Sequence, residues 1–456
     1  MKTIKKFTAT GVFDYLRMEL VLNEKLTFLY GLNGSGKTTA LKLIIALLEP
    51  SLEPLARIPF KRLELQGTTH KHGDVTVVAT KDKTGNLELR CSLVPEDSFS
   101  IRLDGVDFDE IDLQSRETRQ HPVLTALSGI ASPIFLGIDR RFRTPRMPVL
   151  RRRTPSPRQI AFEFQRERNL EDPSFDPGLG EVAFVIEDFT SQLRRRQSVI
   201  DDQFRKQILL DSFAYVDPTS HGFSFEPSEE MFQAFRGKRA AIMHTLKSLE
   251  LASEEFEKRS EEFFTTIENV IGTIRRLMDK KGRRGEPSQE LSKALTAWFV
   301  NQSQVDRIDR LFDLANNYQA EQESILRPLN DFVELTNRFF TQTGKEVSID
   351  RAGEVRIRMK SKISSLQALS SGERQMFIML AHLSLNRSLL KDGVFIVDEP
   401  ELSLHMAWQD MFVEAVEAAN PKLQIILATH APAIIGGRDS LCIQVSSVEE
   451  ESNDRG

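Results

Sequence analysis

Cysteine is almost absent from this chain: Cys91 and Cys442 are the only two among 456 residues. Two thiols build neither a disulfide framework nor a cysteine-based zinc site, and their scarcity fits a reducing compartment. A net positive charge is missing as well. Lys and Arg total 61 against 66 Asp and Glu, a formal charge of −5. Global basicity therefore does not announce nucleic-acid binding, and any basic surface has to be local. No stretch reaches the roughly 18 uninterrupted apolar residues of a membrane span. The start, Met1-Lys2-Thr3-Ile4-Lys5-Lys6, lacks the apolar character of a signal peptide. These absences predict a cytoplasmic protein with no membrane partner.

What is present suffices for a large core. Hydrophobic residues make up 40% and charged residues 28%, the balance of a globular chain. The length exceeds the size at which one core usually stops growing, so a main domain plus a second module is expected. Short β-like runs (Phe7 to Phe13, Leu20 to Leu22, Leu26 to Leu29) lead into a glycine-rich loop and then an apolar helix, Ala40 to Leu48, closed by Pro50. Val75 to Ala79 and Leu87 to Leu93 read as a hairpin about Lys81 to Gly85.

The middle of the chain has another character. After the apolar run Ile134 to Ile138, the segment Arg140 to Arg158 holds eight Arg, four Pro and no acidic residue, which suits neither a regular helix nor a central strand. It reads as a solvated loop, a dock for an acidic partner, or a contact to phosphate backbones. Ala183 to Ile186 reads as a strand before a helix from about Ser191 to Tyr215, and Asp217 to Pro227 as a loop. From Ile242, the positions Leu246, Leu249, Ser253, Phe256, Ser260, Phe263, Ile267, Val270, Ile274 and Leu277 alternate in steps of four and three, a heptad seam on a helix of about 60 Å. Lys280 to Pro287 breaks it. A second pattern (Leu291, Leu295, Trp298, Val305, Ile308, Phe312, Ala315, Tyr318) returns toward Phe340, with Pro328 expected to kink or interrupt it. An antiparallel hairpin with a basic tip is the simplest form; two ordinary helices of a helical subdomain are the alternative. Val347 to Met359 then alternates about Asp350-Arg351-Ala352-Gly353 as a β-hairpin. The chain thus divides into an α/β segment at 1–139, an insertion at 140–343 and a second α/β segment at 344–456.

Four motifs carry chemistry. Gly31-Leu32-Asn33-Gly34-Ser35-Gly36-Lys37-Thr38 matches G-x-x-x-x-G-K-[ST] in full, between a strand and a helix. Backbone amides of such a loop face phosphates, Lys37 reaches the β- and γ-phosphates, and the Thr38 hydroxyl can ligate Mg²⁺. Thr39 is most simply a helix residue. Val394-Phe395-Ile396-Val397-Asp398-Glu399 is a buried strand ending in two carboxylates: Asp398 to hold Mg²⁺, Glu399 to orient or deprotonate the attacking water. Leu369-Ser370-Ser371-Gly372-Glu373 reads either as an N-cap with Glu373 in the first turn or as an anion site for a second nucleotide's γ-phosphate. Gln424 to Thr429 is a buried-strand pattern that ends at His430, 32 residues after Asp398, about one strand-helix-strand unit, so His430 could reach the γ-phosphate from the neighbouring strand.

In this order the motifs resemble the ATP-binding-cassette ATPases: Walker A at 31–38, signature at 369–373, Walker B at 394–399 and a switch histidine at His430. The helical spacer looks like the RecF/SMC branch. The run Asp398-Glu399-Pro400-Glu401-Leu402-Ser403-Leu404-His405 with Trp408-Gln409, and Ala428-Thr429-His430-Ala431-Pro432, look like the OLD-type ATPases of bacterial anti-phage systems. The resemblance implies an α/β ATPase head with a mixed sheet, interrupted by a coiled-coil-like hairpin. It implies ATP and Mg²⁺ as cofactors, and catalytic Lys37, Glu399 and His430. The nucleotide contacts would be Asn33, Gly34, Ser35, Gly36, Lys37, Thr38, Thr39, Ser370, Ser371, Gly372 and Glu373, with Ser403 in the D-loop at a dimer interface and Thr38 and Asp398 on the metal. One Walker A and one signature per chain imply composite sites in a head dimer or a larger even-numbered homo-oligomer. OLD nucleases add a C-terminal Toprim domain, but 26 residues follow His430 here. The remaining relatives are ATPase subunits with a separate effector, as in Septu (an HNH nuclease) or PARIS (a Toprim protein). The expected role is therefore a sensor or scaffold for a nuclease; a RecF/SMC-like clamp that binds DNA is the alternative. No confident Q-loop glutamine stands out, and Gln66 reads as an ordinary loop residue more readily than as that glutamine.

Overall fold

Alternating apolar residues at the N-terminus form β1 (Thr3–Val12) and β2 (Leu16–Val21), and a run buried from Leu26 to Leu29 forms β3 (Leu26–Tyr30), before the helices α1 (Lys37–Leu48) and α2 (Leu52–Arg57). The hairpins that follow are built from β4 (Arg62–Thr69), β5 (Gly73–Lys81), β6 (Asn86–Cys91) and β7 (Ser98–Arg102). Next come α3 (Pro122–Ile130), β8 (Ile134–Leu136) and β9 (Phe142–Arg143), then three long helices, α4 (Pro177–Ser212), α5 (Glu254–Asp279) and α6 (Gln289–Phe340). The last part holds β10 (Lys345–Ile349), β11 (Val355–Met359), β12 (Lys362–Ser364), α7 (Ser371–Leu385), β13 (Gly393–Asp398), α8 (Met406–Ala419), β14 (Leu423–Ala428), α9 (Pro432–Ile435), β15 (Cys442–Gln444) and β16 (Val448–Glu449). This computed structural model describes residues 1–32, 34–49, 52–69, 71–82, 84–102, 121–130, 134–136, 142–143, 177–212, 254–279, 289–350, 352–360, 362–386, 393–402, 404–445 and 448–449.

The strands make a mixed α/β architecture. An antiparallel sheet of seven runs β16-β2-β1-β4-β5-β6-β7, and a second sheet of six runs β15-β3-β14-β13-β8-β9. In the second sheet β15, β3, β14, β13 and β8 are parallel. Such strands are covered on both faces, which is why Val394 to Val397 and Leu423 to Ala428 are continuous apolar runs broken only by Gln424. One apolar cluster joins Phe7, Leu65 and Leu89 of the large sheet to Leu41 and Ile44 of α1, Val123 of α3, and Ile396 and Ile426 of the parallel sheet. The exception, Gln424, stitches the sheets together. Its Oε1 accepts from the Ile4 N–H at 2.7 Å, and its Nε2 donates to the Ile4 and Asn23 carbonyls at 2.8 and 2.7 Å.

The chain folds as two compact units, one formed by Met1–Ser191 together with Pro328–Gly456 and the other by Gln192–Arg327. Within the second unit, α5 packs Phe264, Ile267, Ile271 and Ile274 against Leu291, Ala294 and Trp298 of α6, with Arg276 of α5 beside Glu290 of α6 at 3.4 Å. The end of one helix thus meets the start of the next, as in an antiparallel hairpin. The buried stripe includes Phe264 and Ile271 next to the expected Ile267 and Ile274, so it is wider than a strict heptad seam. A third helix packs further along α6. Asp211 of α4 takes Arg310 of α6 at 3.1 Å, and Asp201 accepts from Tyr318 and Gln322.

Three expectations are corrected. Ala183 to Ile186 is helical, because Leu179, Val182, Ile186, Phe189 and Leu193 form one buried face of α4 at three- and four-residue spacing. Of the kink or interruption expected at Pro328, the interruption does not occur: α6 spans 52 residues across it, and the turns after it hold buried Phe332, Phe339 and Phe340. Gln66 is a strand residue of β4, its Nε2 donating to Glu64 at 2.8 Å. The early heptad positions, the basic tip, the loop at 217–227 and nearly all of 140–158 lie outside the described residues.

Candidate active site

Parallel strands put their C-terminal ends on one sheet edge. Here β3 ends at the phosphate-loop motif, β13 at Asp398-Glu399 and β14 at Thr429-His430, with β14 lying between the other two. β13, α8 and β14 form the strand-helix-strand unit that the spacing predicts, with Asp398 opposite Ala428 in register.

The loop turns on glycine. Gly36 caps α1 at φ 93°, and a Cβ there would lie 2.5 Å from the Met18 methyl, so only a residue without a side chain fits. Lys37 is 6% exposed; its Nζ donates to the Gly31 and Leu32 carbonyls at 2.8 and 3.2 Å, folding the amine over its own loop. The buried Ser35 hydroxyl has no hydrogen-bond partner, and Thr39 is half-buried on α1. Asn33 and Ser403 lie outside the described residues.

Thr38 and Asp398, 360 residues apart, meet: the Thr38 hydroxyl donates to Asp398 Oδ1 at 3.2 Å. Burial raises the Asp398 pKa, and Glu399 adds to that, against the Thr38 bond and the cations Lys42 and Lys37. Its second oxygen, Oδ2, is buried without a partner. A hydroxyl beside a buried carboxylate with a spare oxygen is a donor set that fits a hard divalent cation such as Mg²⁺. Among the described residues no group of three or more His, Cys, Asp or Glu could hold a metal by itself, so other ligands would be phosphate and water. Glu399 has φ 50°, a left-handed conformation costly to a residue with a Cβ. Its N–H donates to the Ala428 carbonyl at 2.8 Å, fixing the turn to the neighbouring strand.

At 369–373 Ser370 is the N-cap of α7 in a full capping box. Glu373 is buried, and its carboxylate accepts from the Ser370 N–H at 2.7 Å, Lys345 Nζ at 2.6 Å and the Thr343 hydroxyl at 2.6 Å. Burial pushes its pKa up, but these three donors together hold it below the usual range. The carboxylate therefore faces inward, whereas Ser370 and Ser371 are exposed and Gly372 is half-buried at the helix N-terminus.

His430 is half exposed, with Nδ1 3.0 Å from Glu401 Oε1. Motif reading assigned no role to Glu401, and none to Thr343, Lys345 or Gln424. The signals were slight: a third carboxylate after the acidic pair Asp398-Glu399, and one amide inside an apolar strand.

A family model described as an AAA ATPase domain matches residues 14–435. Over 142 residues the chain is 28% identical to "Retron Vc95 probable ATPase" of Vibrio cholerae serotype O1 biovar El Tor, covering 28% of this chain and 27% of that protein. Over 91 residues it is 29% identical to "Retron Ec83 probable ATPase" of Escherichia coli, covering 18% and 17%. The matched stretches thus span about a quarter or less of those relatives. Similar solved structures include an Smc head domain with an extended coiled coil, bound to the C-terminal domain of ScpA, from Pyrococcus furiosus (11% identity, TM-score 0.40, 98% of this chain and 96% of that one). The SMC head domain from Thermotoga maritima is another (10% identity, TM-score 0.36, 98% of both chains).

Proposed function

We propose a function from one established premise: the chain belongs to the AAA ATPase domain family. In our reading it is a Mg²⁺-dependent ATP hydrolase, and one observation carries this: Thr38 bonds Asp398 while Asp398 Oδ2 stays buried and unpartnered. Lys37 binds the β- and γ-phosphates, with loop amides from Asn33 to Thr39 around them. Thr38 and Asp398 hold the metal, Glu399 orients or deprotonates water, and His430 attends the γ-phosphate.

The sites are composite. Ser370, Ser371 and Gly372 of one chain receive the γ-phosphate bound by another, and Ser403 is assigned to the same interface by the OLD-like resemblance; the exposure of Ser370 and Ser371 while Glu373 turns inward supports this. Glu373 then acts by fixing the cap rather than by touching nucleotide. Two chains build two sites, in a dimer or a larger even assembly. At the level of biology the chain is a cytoplasmic sensor or scaffold that holds a separately encoded nuclease and releases it during phage infection. That part rests on the OLD-like run from Asp398 to His405. No helix of the described residues is long and apolar enough to cross a membrane.

Steady-state hydrolysis and nucleotide binding test the chemistry. Lys37→Ala should weaken ATP binding, whereas Glu399→Gln should keep ATP bound and lower kcat by about 10²-fold or more. Equal loss of affinity in both variants contradicts the assignment. For the effector, the product of the adjoining reading frame should co-purify with the chain; steeply salt-dependent DNA binding by the chain alone would favour the clamp instead.

A further inference from the structure

Glu401 takes no part in the chemistry assigned above, yet a single oxygen of its carboxylate organises the end of β14. Oε1 accepts from the Thr429 hydroxyl at 2.8 Å and from the His430 N–H at 2.8 Å. His430 Nδ1 lies 3.0 Å from the same oxygen. The Glu401 side chain is 6% exposed and that of His430 is 50% exposed, so a buried acceptor grips the root of a ring that reaches solvent. The neighbouring bonds stiffen the grip. Thr429 Oγ1 accepts from the Ala431 N–H at 3.0 Å, and the Glu401 carbonyl accepts from the Leu404 N–H at 3.3 Å. Glu401 itself is placed by the short turn Pro400–Leu402 directly after Asp398-Glu399. The loop that carries the paired carboxylates is thereby tied to the loop that carries the histidine.

A carboxylate can only accept, so the 3.0 Å approach of Nδ1 to Glu401 is favourable when that nitrogen carries a proton. The ring is then oriented with Nε2 directed away from Glu401, and which nitrogen meets the nucleotide is no longer left to chance. We propose that Glu401 is a positioning residue for ATP hydrolysis: it fixes the tautomer and direction of His430 so that Nε2 faces the γ-phosphate and its water. This rests on the reading that His430 attends the γ-phosphate.

The test is a double-mutant cycle on the full chain, read by kcat, by ATP affinity and by ¹⁵N spectra of histidine-labelled protein, with His430 assigned from its loss in His430→Ala. Glu401→Ala should lower kcat about tenfold with ATP affinity changed less than about twofold, and should have no further effect in the His430→Ala background. Glu401→Gln, whose amide oxygen still accepts, should keep most of the activity, and it guards against a folding defect in the alanine variant. The Nδ1–H tautomer should dominate at His430 in the wild type and in Glu401→Gln, and be lost in Glu401→Ala. A further tenfold loss in the His430→Ala background, or an unchanged tautomer in Glu401→Ala, overturns the proposal. If His430→Ala turns over at the wild-type rate, the reading of His430 falls and the proposal with it; the tautomer spectrum distinguishes the two failures.

Discussion

Asp398 sits where its own charge is disfavoured, since burial raises its pKa and one oxygen has no partner. A carboxyl whose folded pKa is raised costs nothing below the ordinary value of 3.8, and its cost is fully present once the pH passes the raised value. At neutral pH without metal, Asp398→Asn should therefore raise Tm by about 2 °C, on the order of 1 kcal/mol, while abolishing hydrolysis. A lower Tm in calorimetry without Mg²⁺ would argue against a desolvated, uncompensated charge. The strand-end and loop positions of Lys37, Thr38, Asp398, Glu399 and His430 were legible in the sequence, because each follows an apolar strand run or a glycine-rich loop. The contact of Glu401 with Thr429 and His430 was not, because it exists only once β13 and β14 lie side by side. The left-handed backbone of Glu399 was hidden for a similar reason: the identity of a residue does not state its φ.

Among the elements, the parallel strands were the most readable, because a strand covered on both faces must be a continuous apolar run. Helix α4 was the least. Ala183 to Ile186 fits a strand when four residues are considered, and its helical face emerges only over the 36 residues of α4. Pro328 does not end its helix, and its cost there of about 3 kcal/mol is offset by the packing of Phe332, Phe339 and Phe340. Aromatic contacts tie the end of α6 to α7 and α8, Phe332 lying 5.5 Å from Phe377 and Phe339 5.6 Å from Trp408 between ring centroids. The start of α7 depends on Glu373. Its lowered pKa means that the stabilisation is fully present above the ordinary value of 4.5 and is lost as the pH falls through the lowered one. Glu373→Gln should cost about 3 kcal/mol at pH 7, because Lys345 loses its buried partner, and the difference from wild type should shrink in acid. Denaturant titrations at pH 7 and pH 4 check this; a constant difference would exclude the ion pair as its source.

Across the whole molecule, segments from both ends of the chain share the parallel sheet: β3 pairs with β14 and with β15. This closure was legible, because a phosphate loop near the start needs its carboxylate strand, and that strand occurs only near the end. The reach of the helices was less so, since α4, α5 and α6 pack in pairs that no short window of sequence reveals. On the proposed reading, one phosphate loop and one signature segment per chain place the catalytic unit across two copies. The most direct measurement is the mass in solution of Glu399→Gln with ATP and Mg²⁺, with and without Ser370→Arg. ATP should double the mass of Glu399→Gln and be retained at one molecule per chain, whereas adding Ser370→Arg should leave monomers that still bind ATP. A Glu399→Gln chain that stays monomeric while saturated with ATP would contradict composite sites.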